Sequence, residues 1–115
     1  MFAAYAQHHG DFEGTVRSDE AALSLEPKNP LRYSNAADNY IYAVQPARAI
    51  ELLTQGIRLD PRNIRDAVLN NMGRAQFMNG NDDVAAQWLS RAIEANPDFT
   101  SSHVYLAAAY ARKGD

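Results

Sequence analysis

Three histidines, fourteen carboxylates and no cysteine make up the chain's stock of ligating side chains. Without cysteine, disulfides and thiolate chemistry are excluded, and the redox compartment stays open. His8 and His9 are adjacent, so on a helix they point about 100° apart and cannot hold one metal from one face. His103 is remote in sequence, and no two histidines have the i, i+4 spacing of a helical metal pair. The histidines therefore read as solvated or packing residues, and no metal is expected. Asp82-Asp83, with Asp11 and Glu13 at a matching turn, offers paired carboxylates. Each pair opens an apolar-periodic segment, where negative charge meets the positive end of a helix dipole. Asn79-Gly80-Asn81 is a turn signal, and a lone glycine there is no phosphate loop. Serines, histidines and aspartates occur without a nucleophile-elbow context. Neither a cofactor nor enzymatic activity is expected.

Recognition chemistry is the other possibility. Tyr40, Tyr42, Phe77, Tyr105 and Tyr110 are interleaved with Arg74 and Arg112, a mixture that helical-repeat proteins use to read RNA. A net charge of −3 with acids and bases interspersed argues against a polyanion as partner. Trp88 suits packing or an edge contact better than a stacking platform for bases. No apolar run approaches the roughly 20 residues that span a bilayer. No nucleic acid and no membrane are expected as partners. Residues 1–6 are too short and too uncharged for a secretory leader, and a cytoplasmic location is the expectation.

The elements that would carry such residues are written in the prolines. Pro27 and Pro61 lie 34 residues apart, and Pro97 follows 36 later. Each closes a similar segment: Ala22-Leu23-Ser24-Leu25-Glu26-Pro27, Gly56-Ile57-Arg58-Leu59-Asp60-Pro61, Ala92-Ile93-Glu94-Ala95-Asn96-Pro97. Gly10, Gly80 and Gly114 share one phase, each before a polar residue. From Pro30 the chain places Tyr33, Ala36, Ala37, Tyr40, Ala49, Leu53 and Pro61 at fixed offsets. One period later come Leu69, Met72, Gly73, Gln76, Ala85, Leu89 and Pro97, and then His103, Leu106, Ala107 and Tyr110.

This pattern resembles the tetratricopeptide repeat, W-x2-L-G-x2-Y, then A-x3-F, then P, over 34 residues. The resemblance covers essentially the whole chain and implies an all-α, superhelical stack of antiparallel helical hairpins. It divides residues 1–115 into a partial repeat (1–29), full repeats (30–63 and 64–99) and the first helix of a further repeat (100–115). Seven helices are expected, at roughly 2–9, 12–26, 30–43, 46–59, 65–78, 82–95 and 100–113. Asn29 is a cap for the third, with Pro30 in its first turn. Tyr33, Ala36, Ala37, Tyr40 and Val44 share its apolar face. Gly73 and Ala37, with Ala85 and Ala92, let two backbones approach. The two extra residues of the longer interval fall within 62–66, where Asn63 is a candidate cap. Asp19 takes the place of a large apolar residue in the stripe Phe12, Val16, Leu23. It is expected to be solvated, or else to accept from Tyr5, Tyr33 or Tyr40.

The family resemblance implies protein–protein interaction. The first helices line a concave groove that takes an extended peptide or a partner helix, through positions 2, 5, 9, 12 and 13 of each repeat. On this chain those positions give Gln7 and His8, then Leu31, Ser34, Asp38, Ile41 and Tyr42. Next come Ala67, Asn70, Arg74, Phe77 and Met78, then Ser101, Val104, Ala108, Ala111 and Arg112. Apolar patches with a few donors suit anchored side chains, and Arg74 and Arg112 suit carboxylates. Arg74 is expected to be solvent-accessible. One subfamily clamps chaperone C-terminal carboxylates with Lys and Asn, then Lys and Arg, at set offsets. Ser34, Asp38, Asn70 and Arg74 at the first pair of offsets, and Ala67, Asn71, Ser101 and Tyr105 at the second, do not form that clamp. The alternative is a self-assembly module: Leu106 and Tyr110, lacking a second helix, form a homodimer contact. Residues Asn71–Ala75, Trp88–Phe99 and His103–Ala111 also resemble the C-terminal repeats of bacterial adenylate-cyclase-like signalling proteins and winged-helix regulators. That resemblance implies a sensory or scaffolding piece of a larger protein.

Overall fold

The computed structural model describes residues 12–114. Within them the chain is all-helical, with no strand. The helices are α1 (Phe12–Leu25), α2 (Pro30–Tyr42), α3 (Pro46–Leu59), α4 (Asp66–Met78), α5 (Asp82–Ala95) and α6 (Thr100–Lys113). These match six of the seven expected spans to within a residue. The expected helix at 2–9, with Gln7 and His8, lies outside the described residues. So do Asp11 and the Gly10 turn.

Contacts divide the described residues into two compact units that part between Pro61 and Arg62. In the first, α2 packs on α1 and on α3. Asn29 caps α2 as its side chain suggests: its Oδ1 accepts from the Leu31 N–H at 3.1 Å, and Pro30 fills the first turn. Ala36, Ala37, Ile41, Ala49, Leu52 and Leu53 form the core, none more than 2% exposed. Gly56 lies against Tyr33: a Cβ there would come within 3.0 Å of the Tyr33 Cβ. Phe12 meets Tyr40 edge-on at 5.6 Å, which sets the α1 stripe against α2.

Two expectations are corrected in this unit. Val44 is not on the α2 stripe, because the helix ends at Tyr42. Val44 instead adopts a left-handed turn conformation, φ 58°, and is 65% exposed. The same turn one repeat later is made by Gly80 at φ 84°. Asp19 is half-buried rather than solvated, and the Asn39 side-chain amide donates to its Oδ2. Asn39 is itself buried, so the pair satisfies polar groups inside the α1–α2 contact.

In the second unit, α5 packs on α4 and α6, and α4 also meets α6. Leu69, Met72, Ala75, Ala85, Ala86, Leu89 and Ala92 are its buried apolar residues on α4 and α5. Gly73 is the point of closest approach: a Cβ there would stand 2.4 Å from Leu89 Cγ. The link from α3 to α4 runs over residues 60–65, against 26–29 and 96–99 at the corresponding turns. The two extra residues therefore sit where the spacing places them. Asn63 does not cap α4. Arg65 occupies the cap position without a side-chain bond, and Asp66 Oδ1 accepts from the Ala67 N–H at 2.9 Å.

Candidate functional site

The groove positions of the first unit lie on α2. Leu31 is 45% exposed, Ser34, Asp38 and Tyr42 are half-buried, and Asn35 beside them is exposed. Ile41, expected on the groove, is instead buried at 2% in the α2–α3 core. The second unit brings two first helices, α4 and α6, side by side. Val104 is its most open large apolar groove residue, 59% exposed. Ala67 and Ala111 are exposed, while Ser101, Ala108, Phe77 and Met78 are half-buried.

The expected donors of this wall are placed differently. Arg74 is only 8% exposed, not solvent-accessible. Its guanidinium lies 5.5 Å from the Tyr105 ring centroid of α6, and its Nη1 donates to Asn71 Oδ1 at 3.3 Å. Asn70 is buried too: its amide donates to Ser101 Oγ at 3.2 Å, and its Oδ1 accepts from Ser102 Oγ at 2.9 Å. Arg112 is exposed but engaged. Its guanidinium donates to Asp82 and to the Phe77 carbonyl and covers the Phe77 ring at 3.8 Å. That hydrogen bond holds the Asp82 carboxyl below its ordinary value, with the guanidinium charge adding to it. Lys113 pairs with Asp83 at 2.7 Å. The two aspartates thus receive the end of α6 as well as facing the α5 dipole.

Leu106 is half-buried and Tyr110 is 40% exposed, with the Lys113 ammonium 5.6 Å from its ring centroid. His103 and Ala107 on the same face are exposed. Of the equivalent residues of α4, Leu69, Met72 and Gly73 are buried and Gln76 is half-buried. His103 is not simply solvated. Its Nε2 lies 2.7 Å from the Pro97 carbonyl and must carry the proton, because a carbonyl only accepts. Tyr33 makes the same contact to the Pro27 carbonyl at 2.9 Å. The shared six-residue spacing from proline was legible in the chain, but not as a bond. Tyr105 stands out in the chain as an aromatic near arginines, but its contact with Arg74 is not legible there, since it depends on which turn of α4 the ring crosses.

Among the described residues no group of three or more His, Asp or Glu side chains is placed to hold a metal ion. None of their helices is long and apolar enough to cross a membrane.

Residues 40–112 match the family model of the tetratricopeptide repeat. The chain belongs to that family. Solved structures agree on the fold. A crystal structure of MamA is 27% identical over 95% of this chain, with a TM-score of 0.83. The Sgt2 tetratricopeptide domain from Aspergillus fumigatus is 21% identical over 96% of this chain and 74% of its own, with a TM-score of 0.83. The second such domain of human RPAP3, solved with the HSP70 peptide SGPTIEEVD, is 18% identical over 94% of this chain and 88% of its own, with a TM-score of 0.78. The chain spans 63% of the MamA chain it matches. No curated protein matches the sequence.

Proposed function

We propose that this tetratricopeptide module is a non-enzymatic, cytoplasmic protein-interaction scaffold that binds a peptide or helix on the first-helix faces of its repeats. The observation that carries this reading is the contact of α4 with α6, with Val104 open to solvent on α6. An apolar anchor rimmed by donors and acceptors is what a short binding segment needs. The peptide-bound RPAP3 domain supports the reading by fold. On α2 the corresponding residues are Ser34, Asp38 and Tyr42, and on α4 Phe77 and Met78. The partition into repeats at 1–29, 30–63, 64–99 and 100–115 is part of the same proposal, as is a place within a larger bacterial signalling or assembly protein. Binders selected from a displayed random-peptide library against the intact chain test it. Selected peptides should lose at least about tenfold in affinity on Val104→Glu. Unchanged affinity for every selected peptide would contradict the proposed face.

Self-association is the second reading, favoured by the exposure of the Tyr110 ring, 40%, on α6. Sedimentation across a dilution series tests it. Tyr110→Glu should shift a concentration-dependent dimer to monomer, and a monomer at every concentration would remove it.

A further inference from the structure

Asn79 is the only asparagine of the chain that a glycine follows, and both residues are exposed. In such a pair the glycine nitrogen has no side chain beside it and can reach the asparagine side chain. A base takes the proton of the Gly80 nitrogen, which attacks Asn79 Cγ. The N–Cγ bond forms, the Cγ–Nδ2 bond breaks and ammonia leaves. Water then opens the five-membered imide. Breaking the new N–Cγ bond gives aspartate, and breaking the bond to the Asn79 main-chain carbonyl carbon gives isoaspartate. The turn opposes the first step in two ways. Asn79 ψ is 5°, which eclipses the Gly80 nitrogen with the Asn79 nitrogen and turns it away from Cβ. The Gly80 N–H is also committed, donating to the Phe77 carbonyl at 3.1 Å. The Asn81 N–H donates to the Gln76 carbonyl at 2.9 Å, so the two bonds close α4 as a Schellman turn with Gly80 at φ 84°. The Asn81 side-chain amide adds a bond to Gln76 Oε1 at 2.7 Å. The Phe77 carbonyl takes a second donor, the Arg112 guanidinium, which Asp82 also holds.

We propose that Asn79 is a deamidation site of this chain, and that opening of the α4 turn, restrained by Arg112, sets its rate. The equivalent turn after α2 carries Ala43-Val44 and cannot react this way. The products do not refit the turn. A carboxylate at residue 79 faces the negative end of the α4 dipole and comes shortly before Asp82 and Asp83. Isoaspartate adds a carbon to the backbone, which breaks the register of both Schellman bonds. The modification is therefore one-way, and it leaves the end of α4, with Phe77 and Met78, without its cap. Nothing in this depends on a ligand in the groove.

Peptide mass spectrometry of the intact chain, aged in mildly alkaline buffer, tests this. The fragment carrying Asn79 should divide into aspartyl and isoaspartyl forms while fragments carrying the other asparagines lag behind. In concentrated urea the same conversion should run at least about tenfold faster, because the turn is gone. Arg112→Ala in native buffer should raise the native rate about threefold or more, by removing one of the bonds that hold the Phe77 carbonyl. Gly73→Ala, which weakens the same unit away from the turn, is the control for global unfolding. No conversion of Asn79 in urea would overturn the site, and equal rates in native buffer and in urea would overturn its protection by the turn. A rate that Arg112→Ala leaves unchanged, or that Gly73→Ala raises as much, would overturn the role of Arg112.

Discussion

Val44 and Asp19 show what single residues can conceal. Val44 continues an apolar period, yet it occupies the left-handed turn that Gly80 occupies one repeat later. A β-branched residue there costs roughly 1–2 kcal/mol, and glycine returns part of that through its own backbone entropy. Val44→Gly should therefore raise stability by about 0.5–1 kcal/mol, read as a higher urea midpoint at unchanged slope. Asp19 looks like a flaw in a stripe, but it is the acceptor for the buried Asn39 amide. Asp19→Leu removes that acceptor and should destabilise by about 1–3 kcal/mol, whereas Asp19→Asn, which keeps an oxygen, should cost less. Denaturation of both variants decides this, and an Asp19→Leu protein as stable as the parent would reduce the Asn39 bond to decoration. Neither feature was legible from spacing. Periodicity reports which face a residue is on, not whether the helix still continues or what lies across from it.

The helices themselves were legible because prolines, caps and apolar stripes agree about them. Pro30 with Asn29, and the small residues at fixed phases, mark each hairpin independently. The tightest of these contacts is Gly73 on Leu89. Gly73→Ala puts a methyl group 2.4 Å from a fully buried leucine and should cost about 1–3 kcal/mol. A thermal or urea melt at parent stability would mean that α4 and α5 can separate freely. The polar ties between elements were not legible, since they join residues about one period apart that no local rule pairs. Asp66 with Asn96 (2.8 Å) and Asp82 with Arg112 are examples. They carry a pH dependence of known sign. The Arg112 hydrogen bond lowers the Asp82 pKa below its ordinary 3.8, as Arg32 lowers Glu26 below 4.5. A carboxyl depressed on folding stabilises above its unfolded value and loses that contribution as pH falls through the folded one. The stability gap between parent and Asp82→Asn should therefore be present at pH 6 and close as pH drops below 3.8. A gap that persists in acid would mean the aspartate acts by packing instead.

For the molecule as a whole, the family and its two-helix units follow from the proline period, which any shuffled composition would lack. The candidate face was only half legible. The offsets carried by resemblance place Val104 in the open, but they put Arg74, Asn70 and Ile41 on a surface from which burial removes them. Offsets describe where a side chain starts, and the neighbour decides whether it is covered. That burial sharpens one expectation. The clamp residues are absent, and the nearest donors are held by Ser101, Ser102, Tyr105 and Asp82. The peptide SGPTIEEVD, present in the RPAP3 structure, should bind this chain no better than about 1 mM by calorimetry. Binding at micromolar strength would show that another set of donors replaces the clamp. The measurement that reaches furthest is an amide chemical-shift map of the isotope-labelled chain, titrated with a peptide selected from the displayed library. The largest shifts should fall on the first helices of the second unit, around Phe77 and Met78 on α4 and around Val104 and Ala108 on α6. Shifts concentrated instead on the outward residues of the second helices, such as Gln87 and Arg91 of α5, would contradict the proposed face.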